Sequence, residues 1–218
     1  MNMMRTGRIL WLLGALIVGL TMGLLVSSRW EVAARTDQSL TERAVLEYVI
    51  QRAPDARLRD FLDFPKVLLE QSAKANMDFR LILSVAVVES DLQASAVSSK
   101  GARGFLQLMP RTAKAVADKH ALPWNPAALD DPKYNVRLSI LYLKDQLEYF
   151  NDLKATLRAY NEGPQKVVNP ERRQMFSPFR DSNTTEYVMA VALAHLETTA
   201  WFSRRGVLHR ANAQSVRD

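Results

Sequence analysis

The chain of 218 residues contains no cysteine. It therefore has no disulfide framework, no thiol nucleophile, no Cys-based zinc site and no acylated lipoprotein cysteine. No Gly/Ser, Pro or Gln tract is long enough to form a low-complexity region, and no internal repeat is visible. No segment alternates apolar and polar residues over the length of a strand, so the fold class is read as mostly α. Neither a cofactor motif nor a metal-ligand set stands out, and no cofactor or metal is expected.

What is present is a globular balance, with 48% apolar and 24% charged residues. The length leaves room for one domain, ordinarily roughly 100 to 200 residues, plus an appendage. The net charge is +6, but the basic residues are interspersed with acidic ones, so no nucleic acid is expected as partner. Only the tail 204–218, with Arg204, Arg205, His209, Arg210 and Arg217, forms a basic patch. It is read as solvated or as facing anionic lipid headgroups or an acidic wall polymer.

Ile9 to Ser28 carries no charge. At 1.5 Å per residue such a run crosses a hydrocarbon core of about 30 Å. Arg5 and Arg8 before it favour a cytoplasmic N-terminus, an asymmetry that Arg29 and Arg35 weaken. Residues 1–28 are thus expected to be a retained membrane anchor with the rest exported; a cleaved signal peptide, with its apolar stretch of about 7 to 15 residues, is the alternative.

Beyond it, Ser39 and Glu42 have capping-box spacing ahead of the stripe Ala44, Val45, Tyr48 and Val49. Pro65 suits the first turn of a helix through Val67, Leu68 and Leu69. Residues 29–65 are read as a membrane-proximal helical stalk and 66–203 as the compact domain. Within that domain Phe79 to Val88 is almost continuously apolar and reads as a buried helix. Ile82, Val85, Ala86 and Glu89 then share one face, which puts a carboxylate on an apolar stripe at the helix's last turn. Asp91 to Gly104 is read as loop, Pro110 as the start of a helix towards His120, and Val136, Ile140, Leu143, Leu147 and Phe150 as the buried stripe of another. A short helix from Asp152 should stop near Asn161, before Gly163 and Pro164. Asn183 and Glu186 mark the expected start of the last helix, through Val191, Leu196 and Phe202.

Desolvation disfavours the charged form of a carboxylate and raises its pKa towards neutrality, where it can hold a proton and deliver it. Glutamates at helix ends are common, so Glu89 becomes a candidate through its neighbourhood. Gly101 and Gly104 bracket a turn into Phe105-Leu106-Gln107-Leu108-Met109-Pro110, which sets one amide among apolar residues. Amide and apolar side chains together suit an N-acetylated sugar.

Four motifs occur in order: Glu89-Ser90; Ala96-Val97-Ser98 with Gly101-Ala102-Arg103-Gly104-Phe105-Leu106-Gln107-Leu108-Met109-Pro110-Arg111-Thr112-Ala113; Ala159-Tyr160-Asn161-Glu162-Gly163-Pro164, preceded by Asp131-Pro132, Asn135 and Tyr142-Leu143; and Thr185-Glu186-Tyr187-Val188. Across Phe79 to Val188 the chain resembles the lytic transglycosylases with the soluble-lytic-transglycosylase catalytic domain, a branch of the lysozyme superfamily. The resemblance implies a fold like goose-type lysozyme and a periplasmic enzyme acting on peptidoglycan glycan strands. It implies that Glu89 is the single catalytic acid and base, with Ser90 close to the reacting sugar, Gln107 and Met109 lining the groove, Tyr160 and Asn161 on the substrate and Tyr187 beside the catalytic carboxyl. In the family's mechanism the bond between N-acetylmuramic acid and N-acetylglucosamine is cut with formation of a 1,6-anhydro end and without consuming water. Ordinary glycosidases use two carboxylates instead.

The chain departs from the family pattern at Phe105-Leu106, where Leu-Met is usual, at Ser139, where Gly is common, and at Glu162, where a small residue is typical. Glu162 is read as a solvated side chain at a helix end, with a role in positioning water as the alternative. A hydrolytic muramidase on the same fold and a non-catalytic wall-binding anchor of a secretion apparatus remain open beside the transglycosylase. Partner machinery for secretion or wall remodelling is an expectation of the same kind.

Overall fold

The structure, a computed structural model, describes residues 34–53, 57–168 and 180–207, without the side chains of 180–184. The expected anchor and residues 208–218 of the tail lie outside the described residues. Among the described residues no helix is long and apolar enough to cross a membrane. The chain divides into two units, Met1–Thr41 and Glu42–Asp218. Of the first, residues 34–41 are described and helical. Ser39 therefore lies inside a helix, its hydroxyl donating to the Thr36 carbonyl, and does not open one as its spacing with Glu42 suggests.

The second unit is built of helices joined by loops, with isolated bridges and no strand among its described residues. Helix α1 covers 42–52. It is followed by α2 (Leu58–Phe61), α3 (Phe64–Lys74), α4 (Phe79–Ser90), α5 (Pro110–Lys119), a 3-10 turn (Pro126–Asp130), α6 (Pro132–Phe150), α7 (Leu153–Glu162), α8 (Pro164–Val168) and α9 (Arg180–Arg204). The starts follow local chemistry. Asp78, Asp131 and Asp152 cap α4, α6 and α7 by accepting from the backbone N–H of Arg80, Lys133 and Ala155. Proline occupies the first turn of α3, α5 and α6, where a missing N–H leaves no bond unmade.

Helix α4 is the central element. Ile82, Leu83, Val85 and Ala86 are fully buried, and α9 packs along its length. The stripe Ala44, Val45, Tyr48 and Val49 joins the same core, where the Tyr48 hydroxyl meets Thr198 Oγ1 at 2.9 Å. Phe61 and Phe64 stack towards Phe105, the Phe64 and Phe105 rings 4.9 Å apart. From Glu42 onward, residues that the sequence assigns to the stalk thus share the core of the domain. Their aromatic side chains bury area that a solvated stalk would leave wet.

A second apolar cluster joins Leu108, Ala113, Val116 and Ala117 to Leu129 and Leu138. Helix α6 feeds both clusters, so it is buried on two sides and not only along the expected stripe. Tyr160 packs against both. The last helix is already formed at Arg180, ahead of the start expected at Asn183, whose side chain is not described. Arg205 of the basic tail is paired with Glu47 at 2.8 Å and lies 3.6 Å over the Trp201 ring, so that charge is used within the domain.

Candidate active site

Helix α4 ends abruptly after Ser90. Asp91 and Leu92 both adopt left-handed backbone conformations, with φ of 50° and 64°. Each such residue costs about 1–2 kcal/mol outside glycine. The Asp91 N–H turns back to the Val87 carbonyl and the Leu92 N–H to that of Ala86, and Leu92 is fully buried, which anchors the bend. This stop delivers the Glu89 side chain, half-buried, into a groove of about 390 Å³ lined also by Ser98, Lys100, Gln107, Met109, Tyr160 and Asn161.

The carboxyl is held on one side by Tyr187 of α9, whose hydroxyl donates to Oε1 at 2.7 Å. Burial pushes the Glu89 carboxyl from 4.5 to about 7, against the Tyr187 hydrogen bond, which favours the ionised form. Burial, and then the charge of Glu89, raise the Tyr187 and Tyr160 hydroxyls well above the ordinary tyrosine value. Burial alone takes Tyr142 to about 12. All three phenols stay protonated near neutrality, and the one facing Glu89 is a donor.

The opposite wall is a loop clamped from four sides. Ser90 Oγ donates to the Phe105 carbonyl at 2.7 Å, and the Tyr160 hydroxyl to the Leu106 carbonyl at 2.7 Å. Gln107, at φ 48°, donates its amide to the carbonyls of Ala96 and Gly104, both at 2.9 Å. Asn135, fully buried on α6, accepts from the Leu106 N–H at 2.8 Å and donates to the Arg103 and Leu129 carbonyls at 3.0 Å each. Gly104 allows this close approach: a Cβ there would run into the Leu129 carbonyl oxygen and the Asn135 amide, at a positive φ of 80°.

Gln107, Met109, Tyr160 and Asn161 are thus brought round one groove with Glu89, and Tyr187 touches the carboxyl itself. Ser90 faces away: its hydroxyl is engaged by Phe105 and, at 3.2 Å, by Ala86. Gln107 and Tyr160 likewise commit their donor groups to loop carbonyls. Sequence reasoning missed the clamp formed by Asn135. The signal was there: an amide inside the apolar run of α6 must find buried partners. Lys100, Thr112, Tyr142 and Glu162 also line the groove. A larger cavity of about 500 Å³ lies between Arg52, Asp60, Phe61 and residues 91–95. It excludes Glu89, and two of its charged walls are already paired, Arg52 with Glu197 and Asp130 with Arg103.

A carboxyl raised to about 7, a phenol donor beside it and an amide in the groove wall make an arrangement suited to general acid–base chemistry, of the kind that protonates an oxygen leaving group. Residues 66–183 match the transglycosylase SLT domain family, and the chain belongs to that family. It is 34% identical over 92 residues to a transglycosylase of Enterobacteria phage PRD1, covering 42% of this chain and 32% of that one. It is 26% identical over 175 residues to the membrane-bound lytic murein transglycosylase C of Haemophilus ducreyi, covering 74% of this chain and 46% of that one. The chain therefore spans less than half the length of these curated relatives. An inactive mutant of the lytic transglycosylase Slt of Pseudomonas aeruginosa has a similar structure (TM-score 0.54, 26% identity, 67% of this chain and 25% of that one). The 70 kDa soluble lytic transglycosylase of Escherichia coli shares the fold at 21% identity (TM-score 0.56, 79% of this chain and 32% of that one).

Proposed function

We propose that the chain is a peptidoglycan lytic transglycosylase in which Glu89 acts alone, first as acid and then as base. The observation that carries this is the Glu89 carboxyl in the groove, raised to about 7 by burial and with no second carboxylate among the causes of its shift. Near neutrality it is substantially protonated, and it gives its proton to the oxygen joining N-acetylmuramic acid to N-acetylglucosamine. General acid catalysis of this kind contributes about 10²- to 10⁴-fold. The departing sugar leaves as an alcohol, and the positive charge developing at the muramic anomeric carbon is met by its own N-acetyl carbonyl. The ionised Glu89, with Tyr187 donating to it, then takes the proton of the muramic 6-hydroxyl. That oxygen closes onto the anomeric carbon, giving the 1,6-anhydro ring and returning the proton to Glu89. Gln107, Met109, Tyr160 and Asn161 hold the sugars, and Ser90 supports the loop that carries Gln107. Family membership and the names of the relatives support the reaction class.

The apolar run Ile9 to Ser28 is proposed to anchor the chain, with the catalytic domain in the periplasm. The membrane-bound relative of Haemophilus ducreyi supports an envelope location. Service to a secretion or wall-remodelling apparatus is part of the same proposal.

One observation favours a second reading: Glu162 lines the same groove as Glu89. A water held there would give hydrolysis. Purified full-length protein is incubated with peptidoglycan and the released fragments are weighed by mass spectrometry. Anhydro-muramic ends support the transglycosylase, reducing ends the hydrolase, and a lack of release supports a wall-binding anchor.

A further inference from the structure

Helix α9 has two apolar faces. Val191, Ala194, Thr198 and Phe202 are buried in the core. On the opposite side Met189, Leu193 and Leu196 are 57%, 58% and 67% exposed, and Ala192 and Ala200 are exposed with them. Positions 189, 193, 196 and 200 follow the helical repeat, so their side chains form one stripe about three turns long. Leucines scattered singly over a surface are ordinary, whereas a continuous stripe marks a contact face.

The stripe is complementary to itself. An antiparallel pair of α9 helices, related by a two-fold axis near residue 195, sets Met189 of one copy opposite Ala200 of the other and Leu193 opposite Leu196. Large side chains then meet a small one at the ends, and leucine meets leucine in the middle. The charges agree with this register. Glu186 and Arg204, both exposed, flank the two ends of the stripe. Eighteen residues make five full turns, so the two share one edge of the helix, and the same axis brings each beside its opposite on the other copy. No ion pair holds either among the described residues. Glu197 is the charge nearest the axis, and Arg52 of its own chain faces it at 4.0 Å.

We infer that the outer face of α9 is a dimer interface, on which a second copy of this chain lays its own α9 antiparallel. Tyr187 turns the other way, to Glu89, so the paired face does not include the group that touches the carboxyl. Four side chains cover less than the about 800 Å² that each partner gives to a standard interface. The pair is therefore weak in dilute solution, and confinement of two chains to one membrane by the proposed anchor raises their effective concentration.

Because the chain has no cysteine, introduced thiols report alone. Thr185→Cys and Ser203→Cys, at exposed positions on the other edge of the stripe, are made in separate full-length proteins in detergent and treated with a short bismaleimide. Mixed together, the two should give a covalent dimer. Each alone should give little, since like positions lie more than about 20 Å apart in an antiparallel pair. Adding Leu193→Glu to both should cut the yield at least about tenfold, because the pair would bury a bare charge, with the melting temperature unchanged. Reversing one charge, by Glu186→Arg or Arg204→Glu, should lower the yield about twofold to tenfold, and both reversals together should restore it. Linking of either protein alone as strong as in the mixture overturns the antiparallel pair. So does a yield indifferent to Leu193→Glu, or charge reversals that do not rescue each other. A mixture that stays unlinked overturns it too; if a fluorophore on Leu193→Cys is then quenched by a quencher carried in anionic lipid vesicles, the face belongs to the bilayer instead.

Discussion

Replacing Glu89 by glutamine should make the protein more stable while disabling it, and the size of the gain should depend on pH. One pKa unit corresponds to about 1.36 kcal/mol. Raising the carboxyl from 4.5 to about 7 therefore makes its ionised form about 3 kcal/mol less favourable in the folded chain than in the unfolded one. Below pH 4.5 the carboxyl is protonated in both states and the penalty vanishes. Between 4.5 and about 7 the unfolded chain releases its proton first, so stability falls as pH rises, and above 7 the whole penalty is present. Glutamine has the same shape, never ionises and keeps an oxygen for the Tyr187 hydroxyl. Urea unfolding of both proteins should show near-equal stability at pH 4 and a gain of about 3 kcal/mol for Glu89→Gln at pH 8. In melting temperature this is on the order of 5–10 °C for a chain of this size. Release of glycan fragments should fall by at least about 10²-fold. A stability difference that stays flat between pH 4 and 8, or a glutamine variant that is the less stable at pH 8, would show that burial does not hold the carboxyl neutral.

Tyr187→Phe removes the hydrogen bond that favours ionised Glu89; the limb of kcat/KM that falls as pH rises should move to higher pH, and an unmoved limb would show that the contact does not tune the acid. Gly104→Ala sets a methyl against the Leu129 carbonyl and the Asn135 amide at an unfavourable φ, and should destabilise the fold by more than about 2 kcal/mol in denaturant titration. Asn135→Ala takes from the Leu106 N–H and the Leu129 carbonyl their side-chain partner, while the Arg103 carbonyl keeps the Leu108 N–H; at about 1–3 kcal/mol for a buried unsatisfied group, unfolding at a markedly lower denaturant concentration is expected. Glu162→Ala should leave the yield of anhydro ends nearly unchanged, and a shifted ratio of reducing to anhydro ends would give that side chain a part in the reaction.

Much of the fold was legible because its signals are local. Pro65 and Pro110 begin helices as their lost N–H predicts, and the apolar run from Phe79 ends in a carboxylate at the groove. What escaped depends on distant partners. Nothing near Ser39 says that the chain is already helical before it, and nothing near Tyr48 says that a ring in the expected stalk will meet Thr198, 150 residues away. The site shows the same division. Glu89, Gln107, Met109, Tyr160, Asn161 and Tyr187 can be named from the resemblance to the transglycosylase family, but the sequence does not say which atom of each is free. Only the folded chain reveals that Ser90 and Tyr160 direct their hydroxyls at loop carbonyls. Asn135, which the motifs include without a role, proves to be the clamp that holds that loop in place.

The proposed reaction requires Glu89 to keep its proton in water near neutrality. The full-length protein with ¹³C-labelled glutamate, compared with Glu89→Gln to assign the signal, is titrated by NMR. One carboxyl carbon, absent from the variant, should shift with a midpoint of about 7. A midpoint near the ordinary 4.5 would rule out this acid, because a carboxyl already ionised at neutral pH has no proton to give the departing oxygen.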